Sequence, residues 1–408
     1  MSFKKFAKKI IPGFLIGYYH YFLAFIAAVF YFFPSQRLKV VGVTGTNGKS
    51  TTVELIAKVL RDQGYSVAFL SSIKLKVKDR ERKNMFKMTM PGRFQIQKFL
   101  KQALKEGCQY VVLEVTSEGI KQHRHCFIRF EAAVLTNLTP EHIESHGSFE
   151  KYRQAKGKLF KATKKIHIIN FDDPNKNYFL QFRAQKKYDY GLKQGKINNR
   201  ELDLKLKLVG DFNIYNALAA ISLGFSQNIS LNQAKKSVEE VAIISGRMEE
   251  VISKPFKVFV DYAVTPDSLE KLYLEIKKIF PINNIIAVFG SCGGGRDNWK
   301  RPVMGKIAAK YCDKIIITNE DPYDEDPYRI LSMIKSGISN SKFPISNLWE
   351  ILDRRKAIGK ALELAKPGDV VLITGKGSEP WMCLANDKKI PWDDREIVKE
   401  EFNLIGGK

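Results

Sequence analysis

The hydrophobic pattern divides the chain into three stretches. Phe14 to Phe33 is one apolar run, FLIGYYHYFLAFIAAVFYFF, without an Asp, Glu, Lys or Arg. From residue 38 short apolar blocks alternate with longer amphipathic segments. LKVVGVTG (38–45), VAFLSS (67–72), YVVLEVT (110–116), AAVLTNL (132–138) and IHIIN (166–170) predict five strands. VFVDY (258–262), IIAVFG (285–290), KIIITN (314–319) and DVVLITG (369–375) predict a second series of four. Blocks apolar at nearly every position belong to strands covered on both faces, so the expected class is α/β with mostly parallel sheets. After the first strand, Val53, Ile56, Ala57 and Leu60 recur at helical spacing and Gly64 marks the stop. The two series part near residues 243–256, around ISGRMEEVISKPF, which predicts an N-terminal helical segment (1–37) and domains over 38–246 and 247–408. The basic stretch KLKVKDRERKNMFK (74–87) reads as a solvated loop or hairpin, with anionic lipid or substrate phosphate as its other use.

The apolar run is long enough to span a bilayer. Lys4, Lys5, Lys8 and Lys9 precede it and Arg37 and Lys39 follow it. Those lysines favour a cytoplasmic N-terminus, and a single span would then export everything after residue 34. No small-residue cleavage site marks a removed signal peptide. Half of the run is aromatic, which suits the headgroup boundary better than the bilayer centre. The expectation is a re-entrant or interfacial helix, or one packed on a partner or on its own domain, with a buried helix as the plain alternative. Charge points the same way: across 408 residues, 67 Lys and Arg against 43 Asp and Glu leave +24. Such an excess suits an anionic partner: nucleic acid, a membrane face or phosphorylated substrates. No basic helix or aromatic platform motif supports nucleic acid. Five scattered cysteines without a C-x-x-C fit a reducing cytosol rather than a disulfide framework or zinc knuckle.

Candidate chemistry begins where the first strand meets its helix, at Gly45-Thr46-Asn47-Gly48-Lys49-Ser50-Thr51. The strict phosphate-loop pattern has glycine where Val43 stands, so this is a variant. Its physics holds: glycines let backbone N–H groups approach phosphate oxygens at a helix N-terminus, Lys49 reaches the terminal phosphates, and Ser50 can ligate Mg²⁺. Glu114 closes an apolar strand, where open α/β sheets bind ligands, and can hold Mg²⁺. Glu141, His142, Glu144 and His146 crowd the segment before Lys156. The glutamate that must directly follow the first histidine of a catalytic zinc helix is missing.

Several ordered motifs resemble the Mur ligase family: TGTNGKST (44–51), EVTSEG (114–119), TNLTPEHIESHG (136–147), YRQAK (152–156), GDFNIYNALAA (210–220), GRMEEV (246–251), VDYAVTPDSLE (260–270), FGSCGGGRDNWKRPVMG (289–305) and GKGSE (375–379). Within the family the chain is most similar to UDP-N-acetylmuramoyl-tripeptide synthetases, which add the third amino acid of the peptidoglycan stem. The resemblance implies a central ATP-binding domain with a P-loop and a Rossmann-like C-terminal domain that closes over the nucleotide. It implies a cytoplasmic ligase that turns a substrate carboxylate into an acyl phosphate with ATP and lets an amine displace phosphate. It implies that Gly45 to Thr51, Asn213, Asn216, Arg247 and Asp261 bind ATP. Ser50 and Glu114 would hold one Mg²⁺, and His142 with a CO₂-derived carbamate on Lys156 a second. The catalytic set would be Lys49, Glu114, His142, Lys156 and Arg247. Thr89, Thr116, Ser117 and Arg124 would meet a nucleotide-sugar peptide, and Arg301, Asp321, Tyr323 and Glu379 would complete the substrate contacts.

The sequence also departs from the family. About 37 residues precede the first phosphate-loop strand, too few for the usual uridine-binding domain by domain-size priors. Either the uridine end is held otherwise or the acceptor differs, for example a lipid-linked one. Diaminopimelate-adding members carry Asp-Asn-Pro-Arg, whose arginine grips the distal carboxylate; here Glu320-Asp321-Pro322-Tyr323 stands instead. Lysine, ornithine or another amine-bearing residue is then the expected addition, with Asp321 and Glu379 facing its amine and Trp381 walling the pocket. Val264, Glu118 and Glu141 replace the usual histidine, histidine and aspartate. The competing readings are a folylpolyglutamate-like ligase on another carboxylate and a non-catalytic membrane scaffold that binds ATP.

Overall fold

A computed structural model describes residues 13–86, 88–281 and 283–406. Lys4, Lys5, Lys8 and Lys9 lie outside the described residues. The chain forms two compact units, Met1–Leu138 with Glu150–Leu206 and Asn213–Val241, and Thr139–Phe149 with Lys207–Phe212 and Ala242–Lys408.

The first unit is built on nine strands: β1 (Lys39–Thr44), β2 (Val67–Leu70), β3 (Lys74–Val77), β4 (Arg80–Lys83), β5 (Tyr110–Glu114), β6 (Phe130–Leu135), β7 (Ile166–Asn170), β8 (Lys186–Gly191) and β9 (Ile197–Asn198). Their order is β4-β3-β2-β5-β1-β6-β7-β8-β9. The five predicted strands form its parallel centre. β3 and β4 add an antiparallel edge hairpin. The basic stretch therefore takes the hairpin form, with Leu75 and Val77 buried and all four residues of β4 exposed. β8 escapes prediction because KKYDYG is half polar and buried only at its end.

Helices cover this sheet. α1 (Gly13–Phe30) is the N-terminal run, and no helix among the described residues is long and apolar enough to cross a membrane. α2 (Lys49–Asp62) follows β1, and α1 rests on α3 (Arg93–Lys105) of its own unit with Ala24, Ala27 and Ala28 buried. The predicted stripe Val53, Ile56, Ala57 and Leu60 is fully buried on α2, and Gly64 follows at φ 81°. α4 (Phe149–Ala162) and α5 (Asp211–Ser226) supply further site residues.

The second unit carries β10 (Glu249–Ile252), β11 (Lys257–Asp261), β12 (Ile285–Phe289), β13 (Lys314–Ile317), β14 (Leu348–Glu350) and β15 (Val370–Thr374) in the order β10-β11-β15-β12-β13-β14. All pairs are parallel except β10 with β11. One face packs on α6 (Pro266–Ile279) and α7 (Lys300–Tyr311) through Leu269, Leu272, Ile276 and Met304. The other packs on α8 (Arg354–Leu364) through Ala357, Ile358, Ala361 and Leu362. A two-stranded hairpin, β16 (Trp381–Cys383) with β17 (Lys389–Pro391), completes it. Thr139–Phe149 and Lys207–Phe212 cluster with this unit although both lie before residue 243; no change of composition marks either excursion.

Candidate active site

In the first unit, chemistry gathers where the strand order reverses around β1. Register pairs Val43 with Glu114 on β5 and Thr44 with Leu135 on β6, so the loop after β1 leaves the sheet between two strand ends. That crevice is where open α/β sheets bind ligands. The loop is locked from the β6 side. Asn137 takes the Thr46 N–H on its carbonyl (2.9 Å) and the Asn47 N–H on Oδ1 (2.9 Å), while the Thr136 hydroxyl donates to the Asn47 carbonyl (2.7 Å). Glycine is required twice. At Gly45 (φ 153°) a Cβ would overlap Thr136 Oγ1, and at Gly48 (φ 79°) it would overlap the Asn216 amide.

On the opposite side Ser50 Oγ donates to Glu114 Oε2 (2.8 Å), and the same oxygen accepts the Ser72 N–H (2.8 Å). Ser72 Oγ lies 2.7 Å from Ser50 Oγ. Lys49 Nζ is 4.0 Å from Glu114 Oε1 and donates to the Thr46 carbonyl (2.7 Å). Three residues singled out in sequence thus converge on one point, with Glu114 buried at 3 % exposure. A hydroxyl beside one carboxylate fits Mg²⁺, a hard cation that keeps most of its shell as water and substrate phosphate. From α4, one turn apart, Tyr152 reaches Thr46 (3.0 Å between hydroxyls) and Lys156 donates to the Gly45 carbonyl (2.7 Å). Lys156 is 2 % exposed with Nζ 4.7 Å from the Tyr152 ring centroid, so it is a buried lysine and not a surface one. Asn216 accepts from Thr52 (3.2 Å) and donates to Asn213 (3.0 Å), which places both asparagines beside the phosphate loop.

Thr116, Ser117, Arg124 and Thr89 also share one corner. Thr116 caps the short helix Ser117–Lys121. Met90 packs against Gly119, and Arg124 donates to the Met90 carbonyl. Burial and neighbouring Arg93 pull the Arg124 guanidinium down to about 10.

In the second unit a different set meets at the carboxyl ends of β11, β15, β12 and β13. Asp261 closes β11 opposite Thr374 of β15 and accepts the Met248 N–H (2.8 Å). Burial pushes its carboxyl up against the pull of Arg247, whose guanidinium lies 4.5 Å from the Tyr262 ring centroid. Lys376, fully buried, bridges Asp321 (2.8 Å) and Glu379 (2.6 Å). These two carboxylates, expected to face an incoming amine, already share an ammonium. Asp321 also takes the Cys383 N–H (2.7 Å), whereas Glu379 stays about a third exposed at 34 %. Tyr323 packs on Gly294 of the glycine loop, with φ 53°.

Arg301, expected among the substrate contacts, is already paired within its own unit. It is 0 % exposed and forks onto both oxygens of Glu325 (2.6 and 2.8 Å), so its guanidinium ties α7 to the loop before the next helix. The arginine of this motif that keeps solvent-accessible surface is instead Arg296, on the glycine loop; burial of its guanidinium pulls its pKa down, and nearby Cys292, Tyr262 and Tyr323 more than offset that. His142 belongs to this unit, whereas Lys156 belongs to the first. Its segment is held here because Asp297 accepts the Ile143 and Glu144 N–H groups (2.9 and 3.0 Å) and Glu141 pairs with buried Lys300 (2.9 Å). Sequence reading passed over Ser72, Tyr152, Asn137, Lys376 and Arg296. Each lies in a quoted motif or strand end; strand ends place Ser72, Asn137 and Lys376, whereas Tyr152 on α4 and Arg296 on the glycine loop are placed by packing.

Comparison with known proteins agrees with this geometry. Residues 43–224 match the Mur ligase middle domain and residues 246–377 the Mur ligase glutamate ligase domain. A UDP-N-acetylmuramoyl-L-alanyl-D-glutamate–2,6-diaminopimelate ligase from Syntrophomonas wolfei subsp. wolfei is 37 % identical over 410 residues, covering 95 % of this chain and 82 % of the relative. The Synechocystis sp. enzyme of the same name is 38 % identical over 405 residues, covering 93 % and 78 %. A solved structure of such a ligase superposes with a TM-score of 0.58 at 30 % identity, over 90 % of this chain and 79 % of that one. A pseudomurein peptide ligase type C from Methanothermus fervidus shares the fold, with a TM-score of 0.66 at 18 % identity, over 90 % and 79 %. A phosphate loop with its lysine, serine and carboxylate in register, both domain matches and relatives covered over more than three-quarters of their length lead to one assignment: the chain belongs to the Mur ligase family of ATP- and Mg²⁺-dependent amide ligases.

Proposed function

We propose that this chain adds a diamino acid to the carboxylate of a UDP-N-acetylmuramoyl-dipeptide acceptor, in the cytoplasmic synthesis of peptidoglycan precursors. The observation that carries the reading is the meeting of Lys49, Ser50 and Glu114 at the phosphate loop (2.8 and 4.0 Å) in a member of this family. An acceptor carboxylate oxygen bonds to the γ-phosphorus as the bond to ADP breaks. The amine then bonds to the acyl carbon, loses a proton, and phosphate leaves with the bonding pair. Transfer of this kind depends on neutralising charge and aligning oxygens. Lys49 and the loop N–H groups serve the phosphates, and Arg247 adds positive charge for the transferring group. Asp261 is the acceptor for ribose hydroxyls, and Asn213 and Asn216 steady the loop from behind. Ser50 and Glu114 would hold one Mg²⁺, and His142 and a carbamate on Lys156 are each candidate ligands for a second; bound ions would supply further neutralisation of phosphate charge. A carbamate would leave one N–H on Lys156 to donate. Thr89, Thr116, Ser117 and Arg124 form the acceptor corner.

The amine side rests on the second unit. Glu379, partly exposed beside Lys376 and Asp321, suits the distal ammonium of the incoming amino acid, and exposed Arg296 its α-carboxylate. Relatives named for diaminopimelate support a diamino acid. Tyr323, standing where their family pattern has a carboxylate-gripping arginine, supports lysine or ornithine over diaminopimelate. The test is phosphate release from ATP with UDP-N-acetylmuramoyl-L-alanyl-D-glutamate and an amino acid panel. Turnover led by lysine or ornithine is expected. Diaminopimelate performing equally well would overturn the amino acid assignment, and release only with glutamyl-folate acceptors would overturn the acceptor. A ¹³C carbamate resonance from labelled bicarbonate, absent in Lys156→Ala, tests the modification.

A further inference from the structure

α1 is packed the wrong way round for a surface helix. Such a helix buries its large apolar side chains and shows small or polar ones to water. Here Ala24, Ala27 and Ala28 face the unit, while Tyr18 (72 %), Phe22 (60 %) and Phe30 (65 %) face out. Phe32, just past the helix, is 81 % exposed. It and Phe33 sit at φ 58° and 46°, a left-handed conformation that is costly for aromatic residues. Phe94 on α3, its ring centroid 6.2 Å from that of Phe30, extends the surface. Single exposed apolar residues are ordinary, but a run of large ones on one element marks a binding surface. The helix is anchored rather than loose. Arg93 clamps the His20 carbonyl (2.9 Å) and the Gln122 carbonyl (2.5 Å), and the Tyr21 ring lies 5.0 Å from Phe127.

Charge identifies the occupant. No Asp or Glu occurs before Glu54, and α3, RFQIQKFLKQALK, contains none. Around the aromatic surface stand exposed Arg37, Lys98 and Lys101, the last with Nζ 5.6 Å from the Phe32 ring centroid. The sequence places four more lysines ahead of the helix. Protein interfaces are depleted in lysine. Aromatic residues rimmed by cations, with no anion on the same elements, match a helix lying in the boundary of an anionic bilayer. We propose that α1, together with the Phe94–Lys101 face of α3, docks this chain on an anionic lipid surface, the helix lying along the membrane rather than through it.

Flotation of the full chain with vesicles tests this. Vesicles of phosphatidylcholine with phosphatidylglycerol should carry the protein at least about tenfold better than phosphatidylcholine alone, and about 1 M salt should erase the difference. Phe22→Ser/Phe30→Ser/Phe32→Ser should lower flotation at least about tenfold, and Lys98→Glu/Lys101→Glu should remove the preference for anionic vesicles. Phosphate release without vesicles should match wild type in both, so failure here is separable from failure of the ligase reading. If the triple variant misfolds by circular dichroism, Phe32→Ser alone with the salt series decides. Wild type that stays with the protein fraction on anionic vesicles overturns the proposal. So does a wild-type dimer, dissolved by the triple variant, that does not float; the surface would then belong to a second copy.

Discussion

Replacing Lys376 with methionine keeps the buried stem and deletes the ammonium. Nζ is fully buried, 2.8 Å from Asp321 and 2.6 Å from Glu379. Burial pulls its pKa down, but the carboxylates of Glu379 and Asp321 overcome that and hold it above the usual lysine range, so it is charged at any working pH. In the variant, Asp321, with a side chain 10 % exposed, keeps the Cys383 N–H and the attraction of Arg354 but loses its ion pair with Nζ beside Glu320. Breaking a buried pair from one side costs roughly 3–5 kcal/mol. The Glu379 arm, 34 % exposed, is screened by water and adds at most about 1 kcal/mol. The expected loss is about 3 kcal/mol, near the lower bound because one carboxylate can turn to solvent. Asp321→Asn, the amide of the family pattern, removes the stranded charge, so adding it to Lys376→Met should return about 2 kcal/mol in a double-mutant cycle. All four tryptophans, Trp299, Trp349, Trp381 and Trp392, lie in the second unit, so urea unfolding followed by their fluorescence reads the affected unit directly. A loss below about 1 kcal/mol, or no recovery in the double variant, would refute the ion-bridge argument.

Glu320 is 4 % exposed with Oε2 lacking a hydrogen-bond partner among the described residues, and burial, opposed by Arg354 and aided by Asp321, pushes its carboxyl up to about 7. A carboxyl raised above its unfolded value stabilises fully below about pH 4.5, and that contribution fades as pH rises through about 7. Glu320→Gln should therefore gain up to about 3 kcal/mol on wild type between about pH 5 and pH 8; unfolding midpoints across pH that stay parallel would contradict this. Tyr323→Arg should lower KM for diaminopimelate about tenfold, the worth of a charge-assisted bidentate pair, and an unchanged KM would remove position 323 from specificity. Lys49→Ala should cut kcat for phosphate release by about a hundredfold or more without shifting the melting temperature; retained turnover would place phosphate binding elsewhere.

The nine predicted strands were readable because each is buried on both faces and so is apolar at nearly every position. β14 and the β16–β17 hairpin lie at edges, and β8 is covered on its outer side only by the two-residue β9, so solvent tolerates polar residues there and the periodic signal fades. At the site, Lys49, Ser50 and Glu114 were legible because a strand end and a helix start fix where such side chains go. Arg301 and Arg296 were not separable by type. Both are arginines of one glycine-rich motif, and burial alone sent one to Glu325 and left the other exposed.

By its own pattern the sequence determined the α/β class, the phosphate loop and an apolar N-terminal helix, because backbone period and local turn chemistry depend on near neighbours. Tertiary structure decided which carboxylates already hold a cation, that the His142 segment clusters with the second unit, and that α1 turns its alanines inward. Those outcomes rest on pairings between residues tens to hundreds of positions apart, such as Asp321 with Lys376 or Glu141 with Lys300. Long-range burial and charge satisfaction choose among them, and no local spacing encodes that choice.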